Sequence, residues 1–260
     1  MDFCKKPLAL LSVLGLNLTM LAEDKMTLAC FIELSAAAAG SGFRGKEQEY
    51  SFDDSDTSAL KEPLQDSLEH IAGDIYNCTA CELCKTRVNA VPGEGILQPL
   101  VMVIGEGPGG DEDKSGRPFV GRAGQLLDKM LISIGLSRDS NCFIANVIKC
   151  RPPQNRDPQP QEISACFPFL ERQVSLLKPK FILCAGRFAS QTLFQTNGSI
   201  GMLRGKIKDV SIAGVSIPSV VTYHPSALLR SEELKRPAWE DLKLLRSALV
   251  EAKLMKTGTE

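Results

Sequence analysis

The sequence repeats one pattern four times, a short apolar segment followed by a segment in which apolar residues recur at helical spacing. A buried parallel strand is typical of the first segment, and an amphipathic helix is typical of the second. Four such units predict a parallel sheet covered by helices on both faces. The strand and helix of each unit are expected at residues 100–104 and 121–134, 142–148 and 162–177, 181–185 and 187–194, and 219–223 and 238–253. Between the last two units, residues 206–217 alternate apolar and polar side chains around Ala213-Gly214, which predicts a hairpin.

The first predicted strand ends in a glycine-rich loop, Gly-Glu-Gly-Pro-Gly at residues 105–109. Open α/β sheets bind ligands where their strands end, and glycine lets the backbone approach a ligand closely. The loop lacks the GK[ST] or the third spaced glycine of nucleotide-binding motifs. Its acidic side chains disfavour a polyphosphate and favour a neutral ligand or a water that needs a base. These side chains are Glu106 within the loop and Asp111, Glu112 and Asp113 just after it. An ordinary glycine-proline turn is the alternative interpretation.

Charge divides the chain near residue 74. Residues 1–74 contain 6 Lys/Arg and 13 Asp/Glu, a net charge of −7, whereas residues 75–260 contain 24 and 18, a net charge of +6. We therefore expect an acidic N-terminal extension, with helical pieces and a flexible linker, ahead of one basic domain at residues 75–260. The domain is basic enough to bind a polyanion.

The N-terminal extension begins with Lys5-Lys6 and an apolar run over residues 7–16, like the first parts of a signal peptide. The run is too short to span a membrane, and no clean cleavage site follows Leu21. We interpret it as an amphipathic helix of a cytoplasmic protein with no membrane contact. A small, polar linker at residues 36–58 and a helix near residues 64–72 are expected to follow.

The nine cysteines are odd in number and unevenly placed, which favours free thiols and metal ligands over disulfides. Cys78 and Cys81 have the spacing at which one turn of chain binds a single centre. Cys150 and Cys166 flank a stiff, proline-rich loop whose ends need an anchor. The spacing predicts a four-thiolate site, and both zinc and a cubane iron–sulfur cluster fit it. We interpret Cys84 as a spare thiol.

Four motifs, the glycine-rich loop among them, occur in order: Gly105-Glu-Gly-Pro-Gly, Gly116-Arg-Pro-Phe-Val-Gly, Asn146-Val-Ile-Lys-Cys-Arg-Pro-Pro and His224-Pro-Ser-Ala-Leu-Leu-Arg. Together they resemble the family 4 uracil-DNA glycosylases, from about residue 77 to the C-terminus. The resemblance implies a three-layer α/β/α fold with a central four-stranded parallel sheet and loops stapled by a [4Fe–4S] cluster. It implies a cytoplasmic monomer that repairs uracil-containing DNA, single- or double-stranded. The implied cluster ligands are Cys78, Cys81, Cys150 and Cys166.

The resemblance also implies a uracil pocket. Glu106 and Gly107 line it, Phe119 stacks on the base, and Asn146 reads the polar edge of the base. Glu112 matches the position that crowds the 5-carbon and so disfavours thymine. These side chains suit a base that has been flipped out of DNA, because an amide offers both a donor and an acceptor to the edge of uracil.

Catalysis is implied for two of the matching residues. Breaking the N-glycosidic bond leaves negative charge on the base and positive charge on the sugar, so a donor at uracil O2 and an anion or base near the sugar would help. His224 matches the donor and is a better site candidate than the other histidine, His70, although a single histidine is more often structural. Glu106 is expected to activate water, or else to brace its loop.

DNA contacts are implied by position alone. Leu228 matches the side chain that wedges into the duplex, and Arg204, Lys206 and Arg230 are placed to contact phosphates. Without the resemblance, each of these four side chains would be interpreted as an ordinary solvent-exposed residue.

Two other functions fit parts of the sequence. A catalytically silent DNA-binding module stapled by a Cys4 centre would not need the four pocket residues together. A related glycosylase for other deaminated bases carries an apolar residue where Glu106 stands.

Gly110 replaces an acidic residue common in the family. A branch that binds uracil covalently uses a histidine in an inserted loop, and residues 151–161 contain none.

Overall fold

The computed structural model describes residues 66–256, so the predictions for the N-terminal apolar run and the linker lie outside the described residues. No helix in this described part is long and apolar enough to cross a membrane. The strands are β1 Glu94–Gly95, β2 Val101–Gly105, β3 Cys142–Asn146, β4 Phe181–Ala185, β5 Ile207–Ile212 and β6 Val215–Thr222. The helices are α1 Leu68–Asn77, α2 Gly110–Ser115, α3 Arg122–Ile132, α4 Pro160–Leu177, α5 Arg187–Leu193, α6 Ile200–Leu203, α7 Pro225–Arg230 and α8 Lys235–Glu251.

The strands form one mixed sheet of six, in the order β1-β3-β2-β4-β6-β5. The four predicted strands are present, and each pairs in parallel with its neighbour. The prediction of a four-stranded sheet lacks two strands, because the sheet has an additional antiparallel strand at each edge. β1 is two residues long and has no apolar run that could reveal it. β5 pairs with β6 through Ile212 and Val215, which confirms the predicted hairpin and extends the sheet.

Each face of the sheet is covered by an apolar cluster, as alternation along a buried strand requires. In β2, Met102 and Ile104 belong to the cluster that contains side chains of α1, α4 and α5, whereas Val101 and Val103 belong to the cluster that contains side chains of α3 and α8. Helices therefore cover both faces. Because the four parallel strands run in one direction, their carboxyl ends lie together along one side of the sheet, which we call the carboxyl edge.

Helix α1 belongs to the first of these clusters. Its side chains Ile71 and Ile75 are fully buried there, and its N-cap residue Ser67 accepts a hydrogen bond from the backbone N–H of His70 at 3.1 Å. Arg172 of α4 pairs with Asp66 at 2.7 Å, just before the helix. The residue predicted to open the domain, Ile75, thus lies inside a helix that packs on the sheet.

Candidate active site and metal centre

A cavity of about 680 Å³ opens where the parallel strands end. Because β2, β3, β4 and β6 run in one direction, the residues that follow them meet at this edge. All six residues predicted to form the base pocket line the cavity: Glu106, Gly107, Glu112, Phe119, Asn146 and His224. Residues separated by more than a hundred positions are therefore brought to one site by the topology alone.

Asn146 and Phe119 form the inner wall of the cavity. Asn146 is the last residue of β3 and is 2% exposed, and its Oδ1 has no hydrogen-bond partner among the described residues. A Cβ on Gly105 would collide with this oxygen and with the ring of Phe119, so only glycine lets the two side chains share this space. An unpaired buried acceptor costs about 1–3 kcal/mol, which a ligand with an N–H donor would recover.

Phe119 is held in an unusual backbone conformation, with a φ of 52°. The guanidinium of Arg138, whose side chain is 9% exposed, donates to its carbonyl oxygen at 2.9 Å and thereby stabilises this conformation. The Phe119 ring lies 5.5 Å from the His224 ring, centroid to centroid, at an angle of 32°. The two rings provide an aromatic surface beside the Asn146 amide, which suits a flat ligand.

His224 is the N-cap residue of α7, and its neighbours fix the position of its proton. The backbone N–H of Ser226 donates to Nδ1 at 3.1 Å, and the Ser226 hydroxyl lies 2.8 Å from the same nitrogen. Since Nδ1 accepts, the neutral ring carries its proton on Nε2. Burial lowers the pKa of His224 to about 4, helped by the charge of Arg230 and opposed by Glu112. The residue is therefore a neutral donor at physiological pH.

Glu112 braces the loops around the cavity. Its Oε1 accepts from the backbone N–H groups of Val120 and Gly121, both at 2.9 Å, and its Oε2 accepts from Gly109 at 3.1 Å. The short helix α2, which the sequence interpretation missed, begins here, since acidic residues stabilise the first turn of a helix. The brace considered for Glu106 is thus supplied by Glu112, which joins the glycine loop to the segment carrying Phe119.

Glu106 makes no side-chain hydrogen bond within the described part of the chain and is left to face the cavity. Its pKa is raised to about 7, first by burial and then by the charge of Asp157, while Arg187 opposes the shift. Asp157 and Arg187 also line the cavity, and their side chains pair at 3.3 Å. No sequence motif indicates this pair, because Asp157 lies in the proline-rich loop between the cysteines and Arg187 follows a separate strand.

The predicted DNA contacts divide into two groups. Lys206 and Arg230 are exposed, and Arg230 lies at the cavity. Arg204 instead pairs with the fully buried Asp241, at 2.9 Å through both Nε and Nη2, so it is occupied inside the fold. Leu228 is 3% exposed and packs in the apolar cluster with α3 and α8, whereas the next residue, Leu229, is 43% exposed. In the structure Arg204 is therefore paired inside the fold and Leu228 is packed in the core, whereas Lys206, Arg230 and Leu229 are exposed.

A second, smaller cavity lies against α1 and α4 and is lined by five cysteines. The four predicted ligands, Cys78, Cys81, Cys150 and Cys166, are brought together with the predicted spare, Cys84. Among the described residues, no three His, Cys, Asp or Glu side chains converge closely enough to hold a single metal ion. The remaining two described cysteines, Cys142 and Cys184, are buried in the apolar clusters.

Nitrogen donors face two of these sulfurs. The guanidinium of Arg87 donates to Cys150 Sγ at 3.1 Å, and the backbone N–H of Lys149 donates to Cys166 Sγ at 3.2 Å. Burial raises the pKa of the Cys166 thiol to about 11, and the nearby charge of Lys149 opposes the shift. N–H donors and cations around buried sulfurs are the surroundings that metal-bound thiolates require.

The chain is similar to proteins of known activity. The profile of the family described as "Uracil DNA glycosylase superfamily" matches residues 92–243. A type-4 uracil-DNA glycosylase of Sulfurisphaera tokodaii is 45% identical over 193 residues, which cover 72% of this chain and 87% of that protein. One of Pyrobaculum aerophilum is 45% identical over 172 residues, covering 65% and 87%. One of Thermotoga maritima is 43% identical over 188 residues, covering 70% and 95%.

Proposed function

This chain belongs to the uracil-DNA glycosylase superfamily and, within it, to the type-4 enzymes, and from that premise we propose how its two cavities work. It is a DNA repair glycosylase that removes uracil from DNA. The base leaves the stack and enters the larger cavity, where hydrolysis of the N-glycosidic bond releases uracil and leaves an abasic site. Whether the chain acts as a monomer in the cytoplasm remains a prediction.

The observation that carries the assignment of the pocket is the unpaired Oδ1 of Asn146 beside the Phe119 ring. Uracil presents an N3–H donor next to its O4 acceptor, and an amide of matching orientation pairs with both. The base would stack on Phe119 while it recovers the cost of the buried acceptor. Cytosine has no N–H at N3 and carries an amine at C4, so it would leave Oδ1 unpaired at N3 and oppose two donors at C4.

His224 is proposed to stabilise the departing base. As the bond to the sugar breaks, negative charge accumulates on uracil O2, and a neutral Nε2–H fixed by Ser226 can donate to it without moving. A neutral histidine also avoids placing a second positive charge near the cationic sugar. The lowered pKa of His224 supports this role.

Glu106 is proposed to act on the other side of the bond. Its ionised carboxylate would stabilise the developing positive charge on the sugar and accept a proton from the attacking water. The absence of any described hydrogen bond to its side chain, in contrast to Glu112, supports a role in chemistry over a role in bracing. Glu112 would then act indirectly, by holding Phe119 and the glycine loop in place.

The duplex contact predicted for Leu228 is better assigned to its neighbour. Leu229 follows the buried Leu228 on α7 and exposes 43% of its surface close to Arg230, which lines the cavity. An exposed apolar side chain next to a cation can fill the gap that a flipped base leaves while the cation holds a phosphate. We assign the wedge to Leu229 and phosphate contacts to Arg230 and Lys206.

The smaller cavity is proposed to hold the [4Fe–4S] cluster. Thiolates are the ligands of such clusters, and five cysteines around one cavity, with N–H donors at two of their sulfurs, support a thiolate-bound centre there. When bound, the cluster would tie the ends of the proline-rich loop to the segment after α1 and would supply a one-electron redox centre. Cys78, Cys81, Cys150 and Cys166 would hold it.

Iron content tests this ligand set. Cys166→Ala should lose the iron that the parent protein holds, whereas Cys84→Ala should keep it when both are purified without air. The opposite result would replace Cys166 by Cys84 in the ligand set. One bound zinc in a colourless parent protein would overturn the cluster.

A uracil-containing oligonucleotide tests the function itself. The parent protein should produce alkali-labile abasic sites in it and none in the matched thymine oligonucleotide. Asn146→Ala should abolish most of this activity, and Asn146→Asp should weaken excision of uracil while it gains activity on cytosine, because a protonated carboxyl offers a different donor pattern. Asn141→Ala, a substitution outside the cavity, is the control. Full activity of Asn146→Ala would refute the pocket assignment.

A further inference from the structure

Lys149 is a wholly buried cation that lies between the two cavities. It is 1% exposed, and its Nζ donates to the carbonyl oxygen of Asn146 at 2.9 Å and to Oε1 of Gln173 at 2.7 Å. Gln173 is fixed in turn, because its Nε2 donates to the carbonyl oxygen of Pro92 at 2.7 Å. The side chain thus contacts the residue proposed to read uracil.

No described carboxylate pairs with this ammonium group. The sulfur of Cys166 accepts the Lys149 backbone N–H at 3.2 Å, so a metal-bound thiolate at this position would place an anion beside the residue. A buried cation with neutral partners alone is costly, and an anion nearby would offset that cost.

The geometry points to Lys149 as a positioning residue that couples the two sites: it offsets the negative charge of a thiolate-bound cluster and holds the end of β3 at Asn146. This inference rests on the proposed function, since it takes the cysteine cavity as a cluster site and the larger cavity as the uracil pocket. Four thiolates make a bound cluster anionic, and nearby charge and hydrogen bonds set its stability and potential. Arg87, at Cys150, is the second cation of this environment.

The coupling follows from the short chain between the sites. Asn146 ends β3, Lys149 lies three residues later, and Cys150 follows directly. The lysine side chain folds back on the carbonyl of Asn146, so the segment that presents the amide to uracil is anchored by the same group that faces the cluster. Loss of the charge should therefore disturb the cluster, and loss of the hydrogen bond should disturb the pocket.

The main test replaces Lys149 by methionine, which keeps most of the volume and removes the charge, and by arginine, which keeps the charge. Lys180→Met, at an exposed position, is the matched control. Lys149→Met should release iron to a chelator roughly 10–100-fold faster than the parent, as expected when a group around a metal site is removed. It should also shift the cluster potential to more negative values, raise KM for uracil DNA more than it lowers kcat, and be partly rescued in Lys149→Arg.

Gln173 provides a second test if Lys149→Met does not fold. Gln173→Glu keeps the lysine and gives it a carboxylate partner, so it should make the cluster potential more negative, whereas Gln173→Leu should not. Unchanged iron release and potential in Lys149→Met, or in Gln173→Glu if that is the variant that folds, would overturn the charge role. An unchanged KM in a Lys149→Met protein that has lost its iron would overturn the coupling. If the parent excises no uracil, the proposed function fails, yet iron release and potential still report on Lys149.

Discussion

The rate of excision should rise with pH through the titration of Glu106. The carboxylate must be ionised to stabilise the sugar cation or to accept a proton from water, and its pKa is about 7. Its ionised fraction then grows from roughly one tenth at pH 6 to roughly nine tenths at pH 8, so the single-turnover rate should grow by about tenfold. His224, with a pKa of about 4, stays neutral over this range and adds no second limb.

The charges beside Glu106 give the prediction its sign. Burial is the main cause of the raised pKa and remains in every variant, but the Asp157 carboxylate raises it further and the Arg187 guanidinium lowers it. Asp157→Asn should therefore move the midpoint of the pH profile below that of the parent. Arg187→Gln should move it above. Glu106→Gln should lose roughly 10²-fold or more of the rate and show no rise between pH 6 and 8.

The assay is single-turnover excision from a single-stranded uracil oligonucleotide, with enzyme in excess, at constant ionic strength between pH 5.5 and 8.5. Alkaline cleavage of the abasic product measures the rate. DNA binding at each pH is measured as the control, because the cationic side chain of Arg187 could itself bind a DNA phosphate. A flat profile in the parent protein, or equal midpoints in Asp157→Asn and Arg187→Gln, would refute the assignment of Glu106 as the titrating group.

Three further predictions concern the DNA face and the leaving group. Leu229→Ala should lower excision from duplex DNA more than from single-stranded DNA and leave the stability of the protein unchanged. Leu228→Ala should instead lower the free energy of unfolding by about 2–5 kcal/mol, as for a buried leucine. Chemical denaturation and excision rates on the two kinds of DNA distinguish the variants, and the reverse pattern would assign the wedge to Leu228. His224→Ala should lower the single-turnover rate by roughly 10²–10³ while DNA binding is kept, and an unchanged rate would end its role at uracil O2. Deletion of residues 1–65, which leaves α1 in place, should tighten DNA binding at moderate salt because it removes acidic charge. DNA-binding titrations at two salt concentrations measure this effect, and an unchanged affinity would show that the extension does not compete with DNA.

The fold was predictable where the apolar pattern is long and was missed where structure depends on distant contacts. The four parallel strands and the helices after them follow from continuous apolar runs and helical spacing. β1 is too short to produce a pattern and exists because Glu94 and Gly95 find partners on β3, about fifty residues away. Helix α2 was hidden for a different reason: its acidic residues were interpreted as a charged loop, although charge of that sign stabilises the start of a helix.

The residues that line the larger cavity were predictable from the sequence, but the contacts of each side chain were not. The order of the strands brings Glu106, Asn146 and His224 to one edge, so the motifs suffice to collect them. Whether a side chain can contact a ligand depends on the residues that surround it in space, and these residues are distant in the sequence. Arg204 is occupied because Asp241 of α8 lies against it. A single position along α7 decides that Leu228 is buried and its neighbour exposed, since adjacent helical residues point about 100° apart and only one of them can face the core. The motif has leucine at both positions, and only the packing of α7 distinguishes the exposed one, Leu229, to which we assign the wedge.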